Sequence, residues 1–406
     1  MDINGKRLME RITTLGKIGI GKNGQRTRLA ASATNKAGRD QVVAWMQEAG
    51  LTVVVDHIGN IFGIWETEEN KKEKPIMIGS HIDTVINAGQ YDGCLGVLSS
   101  IELIQTLKEN HVTLRRPIVA SAWTNEEGVR YSPDMMGSLV YAGGLSCKEA
   151  LQSIGTDGTI LGEQLQKIGY AGTVDPGFIQ PKAFVELHIE QGPIMDAEGI
   201  KIGAVENLQG IHWHKVHIEG AQNHAGTTPI RMRKDAGLAA AKINLKAREL
   251  VEKSGGVATV GTMQFSPNAV NVIPDKVDFT VDIRNPDKEK LDQDEAALFA
   301  YYKELEQSDH VQITYQQMTH FDPVPFDEGI CQKIEAAAHA RGLNTCRMVS
   351  GAGQDAQMLA RICPTAMIFV PSVNGISHNP KEYTADEDCI NGANVFLDVV
   401  VEMTNE

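Results

Sequence analysis

The chain has 406 residues, enough for two or three domains with a substantial hydrophobic core. Its 42% hydrophobic and 22% charged residues are typical of a folded globular protein and exclude a disordered one. The formal net charge of −14 argues against nucleic acid or a membrane surface as a partner, because both are themselves anionic.

The first part of the chain alternates helical and extended patterns. Residues 36–49 are predicted to form an amphipathic helix that ends at Gly50, and strands at 53–55 and 60–65 are joined by a turn. The further predicted elements are a helix at 93–107 and strands at 76–78, 117–123, 183–187 and 365–370. Because strands alternate with helices, we expect an α/β fold with a mostly parallel sheet covered on both faces.

One segment in the second half of the chain follows a different order. It consists of a strand at 215–219, a helix at 234–253, strands at 259–265 and 277–284, a helix at 286–307 and a strand at 311–317. This β-α-β-β-α-β order is that of the ferredoxin-like split unit. We therefore predict an inserted α+β lid domain at 213–326, within a catalytic metal-binding domain formed by residues 1–212 and 327–406.

The chain shows no signal for export, membrane insertion or disulfide formation. No segment approaches the roughly eighteen apolar residues of a membrane span, and residues 1–6 lack the pattern of a signal peptide. The six cysteines include no Cys-x-x-Cys pair, which argues against a disulfide framework and a thiolate zinc site. We expect a cytoplasmic protein.

Acids and histidines cluster where the predicted strands of the larger domain end. Taken singly, such residues are more often surface histidines, turns or solvated pairs. Ligands of open α/β sheets bind at the carboxyl ends of the strands, however, and four clusters of these side chains fall there, with Asp92 between the first two. Together they predict a metal site; its candidates are His81, Asp83, Asp92, Glu126, Glu127, His188 and His378.

Histidine and carboxylate ligands suit Zn²⁺, Mn²⁺, Co²⁺ or Ni²⁺. Two such ions roughly 3.5–4 Å apart need a bridging carboxylate, for which Asp92 is the candidate. Asp83 lies two residues after His81 and is expected to hold the second nitrogen of that ring. Of the pair Glu126 and Glu127, one carboxylate can bind metal while the other takes a proton from the attacking water.

Five motifs in order resemble the dinuclear amidohydrolases of the N-carbamoyl-L-amino-acid hydrolase and allantoate amidohydrolase family, within the aminoacylase/carboxypeptidase superfamily. They are Gly-Ser-His-Ile-Asp-Thr at 79–84, Tyr-Asp-Gly-Cys-Leu-Gly at 91–96, Asn-Glu-Glu-Gly at 125–128, Glu-Leu-His-Ile-Glu-Gln-Gly at 186–192 and Gly-Ile-Ser-His-Asn-Pro at 375–380. The inserted segment adds Asn-His-Ala-Gly-Thr-Thr-Pro at 223–229, Asn-Val-Ile-Pro at 271–274 and Val-Asp-Ile-Arg at 281–284. The resemblance covers nearly the whole chain.

The resemblance implies two divalent metal ions and a role for each motif residue. The ligands of one ion would be His81, Asp92 and His188, and those of the other Asp92, Glu127 and His378. The general base would be Glu126, and His224 would reach the active site of a partner subunit and stabilise the oxyanion there. Asn271 and Arg284 would grip the substrate carboxylate, Gln191 and the backbone of Gly353 would add contacts, and His212 is expected to approach the substrate.

The function implied is hydrolysis of the N-carbamoyl (ureido) C–N bond of a small anionic substrate, with release of ammonia and carbon dioxide by a homodimer joined through the lid. Allantoate and ureidoglycolate are alternative substrates. An aminoacylase or dipeptidase with the same metals, or a metal-dependent binding protein without activity, are further alternatives. One departure from the family is Gln354, at a position where the family usually has histidine, which removes a titratable group.

Overall fold

The strands and helices of this mixed α/β protein divide into two units. A computed structural model describes residues 1–22 and 24–406. Unit 1 consists of Met1–Glu206 and Phe326–Glu406, and unit 2 of Asn207–Pro325. The catalytic and lid roles that the sequence suggests for these parts stay predictions.

In chain order the strands are β1 (Thr52–Val55), β2 (Ile61–Trp65), β3 (Ile76–His81), β4 (Ile118–Trp123), β5 (Ala183–Ile189), β6 (Ile202–Leu208), β7 (Gly210–Glu219), β8 (Asn223–His224), β9 (Val257–Thr259), β10 (Met263–Ser266), β11 (Val272–Ile273), β12 (Lys276–Asn285), β13 (Gln312–Phe321), β14 (Val324–Pro325), β15 (Thr345–Ser350) and β16 (Thr365–Val370). The α-helices are α1 (Gly5–Gly16), α2 (Ala33–Glu48), α3 (Cys94–Glu109), α4 (Met136–Tyr141), α5 (Cys147–Leu151), α6 (Leu161–Ile168), α7 (Ile194–Glu198), α8 (Ala236–Ser254), α9 (Lys288–Ser308), α10 (Glu328–Ala340), α11 (Asp355–Leu359) and α12 (Asp386–Thr404). Within the described residues, no helix combines the length and the apolar character that crossing a membrane requires.

Unit 1 is built on a sheet in which the strands lie in the order β1-β2-β4-β3-β5-β16-β6. The neighbours among β4, β3, β5 and β16 are parallel, whereas β1, β2 and β6 join the sheet antiparallel. The expectation of a mostly parallel sheet therefore holds only for the four central strands. The short turn from β1 to β2 accounts for part of the difference, because a parallel pair needs a much longer crossover.

The four central strands carry no exposed residue, as expected of parallel strands that are covered on both faces. Helix α3 approaches β5 so closely that a Cβ on Gly96 would lie 2.4 Å from the carbonyl oxygen of Leu187. Helix α12, which the sequence analysis left out, packs on β5 and β16. The tight packing holds the carboxyl ends of the strands in fixed positions.

Unit 2 contains a five-stranded antiparallel sheet in the order β10-β12-β7-β13, with β9 also paired to β12. Side chains of β7 and β12 alternate between buried and at least partly exposed, and buried ones pack against α8 and α9. The strand predicted at 259–265 is broken into β9 and β10. Gly261 lies at the break, where the lack of a side chain weakens a strand.

Truncating a buried side chain of α3 should destabilise unit 1. Ile104 is fully buried, so we expect Ile104→Ala to lower the free energy of unfolding by about 2–5 kcal/mol. Urea unfolding followed by circular dichroism measures the change. The matched control is Ile154→Ala, which removes a side chain that is 71% exposed and should cost less than about 0.5 kcal/mol. Equal losses in the two variants would contradict this description of the core.

Candidate metal centre

The first group of possible metal ligands joins His81, Asp92 and His188. Their ligand atoms all lie within 4.8 Å of one another, and the three side chains are buried. Nε2 of His81 is 3.4 Å and Nε2 of His188 is 3.3 Å from Oδ1 of Asp92. The two histidines come from the parallel strands β3 and β5, which extend further than predicted and include them.

The second group joins Asp92, Glu127 and His378, whose ligand atoms again lie within 4.8 Å of one another. Nε2 of His378 is 3.3 Å from Oδ2 of Asp92 and 3.6 Å from Oε2 of Glu127. Because Oδ1 of Asp92 faces the first group and Oδ2 the second, Asp92 is common to both. A carboxylate in this position can serve two neighbouring cations.

Backbone carbonyl groups orient the two buried imidazole rings. Nδ1 of His81 is 3.1 Å from the carbonyl oxygen of Asp83, and Nδ1 of His188 is 2.9 Å from that of Ile189. An Nδ1–H that donates to a carbonyl leaves the lone pair on Nε2, the atom that faces the shared carboxylate. The expectation that the Asp83 carboxylate holds His81 is wrong, since its Oδ1 lies 4.0 Å from the ring nitrogen.

The loop after β4 holds the two adjacent glutamates. The Asp83 carboxylate accepts the backbone N–H groups of Glu126 and Glu127, each at 3.3 Å. Oε1 of Glu127 accepts the backbone N–H of Val85 at 3.1 Å, which turns its other oxygen toward the second ligand group. Oε2 of Glu126 is instead 3.3 Å from Nε2 of His81. The adjacent carboxylates therefore reach different parts of the centre.

Asp92 is held by groups distant in sequence. Oε1 of Glu382 accepts the backbone N–H groups of Tyr91 and Asp92, at 2.9 and 3.2 Å. Gly93 follows with a φ of +62°, and a Cβ at this position would lie 2.4 Å from Nε2 of His81. Position 93 therefore requires glycine, because the His81 ring packs against it.

Three residues of the site that are not glycine adopt left-handed backbone conformations. They are Asn125, Gln191 and His378, with φ of 56°, 58° and 53°. Each such conformation costs about 1–3 kcal/mol, which the surrounding structure has to supply. Strain of this kind is common where a side chain must be aimed at a ligand.

The centre places several buried carboxylates next to histidines, and their pKa values shift accordingly. Burial opposes ionisation of Asp92, but the three neighbouring histidines hold its pKa well below the usual range. Burial raises the pKa of Glu126 well above its usual value and that of Glu127 to about 8. The hydrogen bond to Asp92 raises the pKa of His378 to about 9.

This donor set fits divalent cations. Imidazole nitrogens and carboxylate oxygens converge on a shared carboxylate, and thiolates take no part, which suits borderline ions such as Zn²⁺ or Mn²⁺. The two carboxylates of the set, Asp92 and Glu127, carry negative charge that cations would neutralise. The ligand set implied by the resemblance is thus brought together in unit 1.

A cavity of about 150 Å³ opens beside this set; its lining includes Asp92, Glu126, Glu127, Gln191, Gly353 and His378. Nε2 of Gln191 donates to Oδ2 of Asp92 at 2.9 Å, and Nε2 of Gln354 donates to Oε1 of Gln191 at 2.8 Å. Gln354, which departs from the family pattern, therefore supports Asp92 through the side-chain amide of Gln191. Gln191 and Gly353 lie where contact with a molecule in the cavity is possible.

Two more predicted residues are neighbours in unit 2. His224 pairs with Val272 between β8 and β11, next to Asn271. Nδ1 of His224 accepts the backbone N–H groups of Gly226 and Thr227, at 2.9 and 3.2 Å. Since Nδ1 accepts, the ring proton lies on Nε2. The exposed ring therefore offers an N–H donor.

Arg284 and His212 also lie in unit 2, on paired strands. Nη2 of Arg284 donates to Oδ2 of Asp282 at 2.8 Å, and its guanidinium lies 6.0 Å from the centre of the Trp213 ring. His212 is fully buried on β7, with Nδ1 2.9 Å from Oε1 of Glu295. Its approach to a substrate stays a prediction.

Glu382 and Glu186 are buried carboxylates near the centre that sequence reasoning missed. Glu382 carries no signal, because it stands in an ordinary polar stretch. Glu186 accepts the hydroxyl of Ser80 at 2.6 Å and the backbone N–H of Ala356 at 2.9 Å. Its signal was present: it is the lone acid within the apolar strand β5, where an unpaired carboxylate would be costly.

Comparison with known proteins extends over almost the whole chain. Residues 77–402 match the family described as Peptidase family M20/M25/M40. The chain is 38% identical to an N-carbamoyl-L-amino-acid amidohydrolase of Rhizobium meliloti, over 98% of this chain and 96% of the relative. It is 33% identical to an allantoate amidohydrolase of Bacillus subtilis, over 97% of this chain and 96% of the relative.

A solved structure gives the same result. The amidase of the hydantoinase/carbamoylase family from Burkholderia multivorans has a TM-score of 0.97 and 40% sequence identity, covering 100% of this chain and 99% of its own. The resemblance seen in the motifs is confirmed. The chain belongs to peptidase family M20/M25/M40 and, within it, to the family of N-carbamoyl-L-amino-acid and allantoate amidohydrolases.

Proposed function

We propose that this protein hydrolyses the N-carbamoyl C–N bond of a small ureido acid, with N-carbamoyl-L-amino acids as the substrate class. The observation that carries the proposal is Asp92, the carboxylate common to two groups of possible metal ligands. The relative at 38% identity supports the substrate class by its name. With water as co-reactant, the products would be the L-amino acid, ammonia and carbon dioxide.

Two divalent cations, drawn from Zn²⁺, Mn²⁺, Co²⁺ and Ni²⁺, are proposed as cofactors. His81, Asp92 and His188 would hold one ion, and Asp92, Glu127 and His378 the other. When bound, the ions would polarise the ureido carbonyl and lower the pKa of the attacking water. The protein would keep the ligand atoms in place through the carbonyl contacts and the carboxylate bridges described above.

Glu126 is proposed to move the proton. Its carboxylate lines the cavity and belongs to neither ligand group, so it is free to act as a base. Burial raises its pKa well above the usual value, which makes it a stronger base than an exposed glutamate. Glu126 would take a proton from the attacking water and pass it to the nitrogen that leaves.

Side chains of unit 2 are proposed to hold the substrate. The Nε2–H of His224 would stabilise the oxyanion that forms at the ureido carbonyl. Arg284 and Asn271 would bind the carboxylate, because a guanidinium grips a carboxylate through two hydrogen bonds. In unit 1, Gln191 and the backbone of Gly353 would add contacts from the cavity wall.

A homodimer joined through unit 2 is part of the proposal, since the resemblance assigns His224 to the active site of the partner subunit. Ile230, Met232 and Val270 of unit 2 are large apolar side chains that are mostly exposed. Exposed apolar side chains of this kind are common at subunit interfaces. All six cysteines are free thiols, as is usual in the cytoplasm, which we propose as the location.

Allantoate is the second candidate substrate, because the relative at 33% identity is an allantoate amidohydrolase. The test is an ammonia-release assay on metal-loaded protein with N-carbamoyl-L-amino acids, N-carbamoyl-β-alanine, allantoate and ureidoglycolate, and with N-acetyl amino acids and dipeptides as controls. We expect the highest kcat/KM with an N-carbamoyl-L-amino acid. A higher kcat/KM with allantoate or ureidoglycolate would make that compound the substrate instead. Cleavage of the controls alone would make the protein an aminoacylase or dipeptidase. No turnover of any compound would indicate a metal-dependent binding protein.

Replacing Glu126 by glutamine should separate the proton transfer from metal binding. We expect Glu126→Gln to lower kcat by about 10²–10⁴-fold, because an amide accepts no proton from water. Metal content, measured by mass spectrometry of the purified protein, should stay that of the parent. Glu68→Gln is the control, since that side chain is 84% exposed. An unchanged kcat, or loss of the metals together with activity, would contradict the proposed role.

Arg284→Ala should raise KM for carboxylate-bearing substrates by about 10- to 100-fold, the effect of losing a hydrogen bond to a charged group. Steady-state kinetics of ammonia release measure it. Arg248→Ala removes a guanidinium that is 68% exposed on α8 of the same unit, and it should leave KM unchanged. Equal KM values in the Arg284 variant and the parent would remove Arg284 from the substrate site.

A further inference from the structure

His212, His214 and His320 meet Glu295 in unit 2. His212 and His214 are two positions apart on β7 and therefore project from the same face of the sheet. His320 lies directly opposite His212 on the neighbouring strand β13, and Glu295 reaches the group from α9. Two strands and a helix thus bring imidazoles and a carboxylate together.

The distances within this group are short. Nδ1 of His212 and Nε2 of His214 each lie 2.9 Å from Oε1 of Glu295. Ligand atoms of His212, Glu295 and His320 all lie within 4.8 Å of one another. The rings of His212 and His320 stack with their centres 3.7 Å apart.

His212 is the least satisfied member of the group. The side chain is fully buried, yet neither of its ring nitrogens makes a hydrogen bond of acceptable geometry within the described part of the chain. Burial of a polar atom without a partner is costly, so such an atom points to a missing ligand. Burial opposes ionisation of Glu295, but His212 and His214 hold its pKa well below its usual range, so the carboxylate is ionised.

We propose that His212, His320 and Glu295 form a further divalent-metal site of the Zn²⁺ class, with His214 as the residue that positions Glu295. Two imidazole nitrogens and one carboxylate oxygen, completed by water, are a common ligand set for Zn²⁺. The χ2 angle of histidine is soft, which allows the two stacked rings to tilt toward one ion. His320 is exposed and gives the ion access from solvent.

Two acids near this group are paired with a lysine. Asp322, which directly follows β13, and Asp292 of α9 are both paired with Lys288. An ion in the site would link α9 to β7 and to the edge strand β13, on which His320 is exposed. This role would replace the substrate contact that the sequence suggested for His212, and it does not depend on the proposed catalytic activity.

The test counts zinc in the full chain with and without the exposed ligand. Protein stripped with chelator is loaded with Zn²⁺, passed through gel filtration and analysed by mass spectrometry. We expect His320→Gln to hold one zinc ion fewer per chain than its parent, both in the native sequence and in an Asp92→Asn background that disables the shared carboxylate. His339→Gln is the control, because it removes an exposed histidine from α10 of unit 1.

A second measurement guards against a change in folding. In the Asp92→Asn background Zn²⁺ should raise the melting temperature of the parent, and this rise should be absent after His320→Gln and after Glu295→Gln. An equal zinc count in the parent and the His320 variant would overturn the site and leave a packed group of histidines. An equal rise in melting temperature in all variants would overturn it too.

Discussion

The structure depends on the burial of several carboxylates in one place. Asp92, Glu126, Glu127 and Glu382 are all at least nine-tenths buried, and the negative charge of each opposes ionisation of its neighbours. Histidines from β3, β5 and the loop after β16 offset part of this charge. Divalent cations would offset the rest far better than protons can, because a cation can bind several carboxylates at once. The buried carboxylates are therefore stable only when their charge is balanced, and the histidines and supporting residues surround them for this reason.

Two kinds of support hold the shared carboxylate, and they respond differently to pH. On one side its backbone is bound by Glu382, whose pKa burial raises to about 7. On the other side Gln354 acts through Gln191 on Oδ2 of Asp92. A histidine at position 354 would gain a proton on acidification, whereas the amide of glutamine keeps its donor at every pH. The departure from the family pattern therefore makes this side of the centre insensitive to proton concentration.

The sequence predicted the centre better than the fold around it. Residue types that suit metals, placed after apolar strands, pointed to side chains that the structure brings together, because parallel strands bring their carboxyl ends to one edge. Their division into two ligand groups came from the family resemblance. Strand β6 was missed, and the direction of the outer strands was not predicted, since an apolar run does not reveal the direction of its neighbour. The carboxylate of Asp83 was predicted to hold the His81 ring, but the backbone carbonyl of Asp83 does so, because strand β3 ends at His81 and the chain turns there. Glu382 was missed because its partners lie about three hundred positions away along the chain.

The order of strands along the chain affects how the protein is made. β16 lies between β5 and β6 in the sheet, yet it follows all of unit 2 in the sequence. While the ribosome is still completing the chain, β5 and β6 each have an edge with unpaired N–H and C=O groups, and such edges attract other strands. Unit 2 is contiguous and can form its core before that moment. Termination of synthesis before residue 365 would leave both edges open, so a truncated chain is an aggregation hazard to the cell rather than a smaller version of the protein.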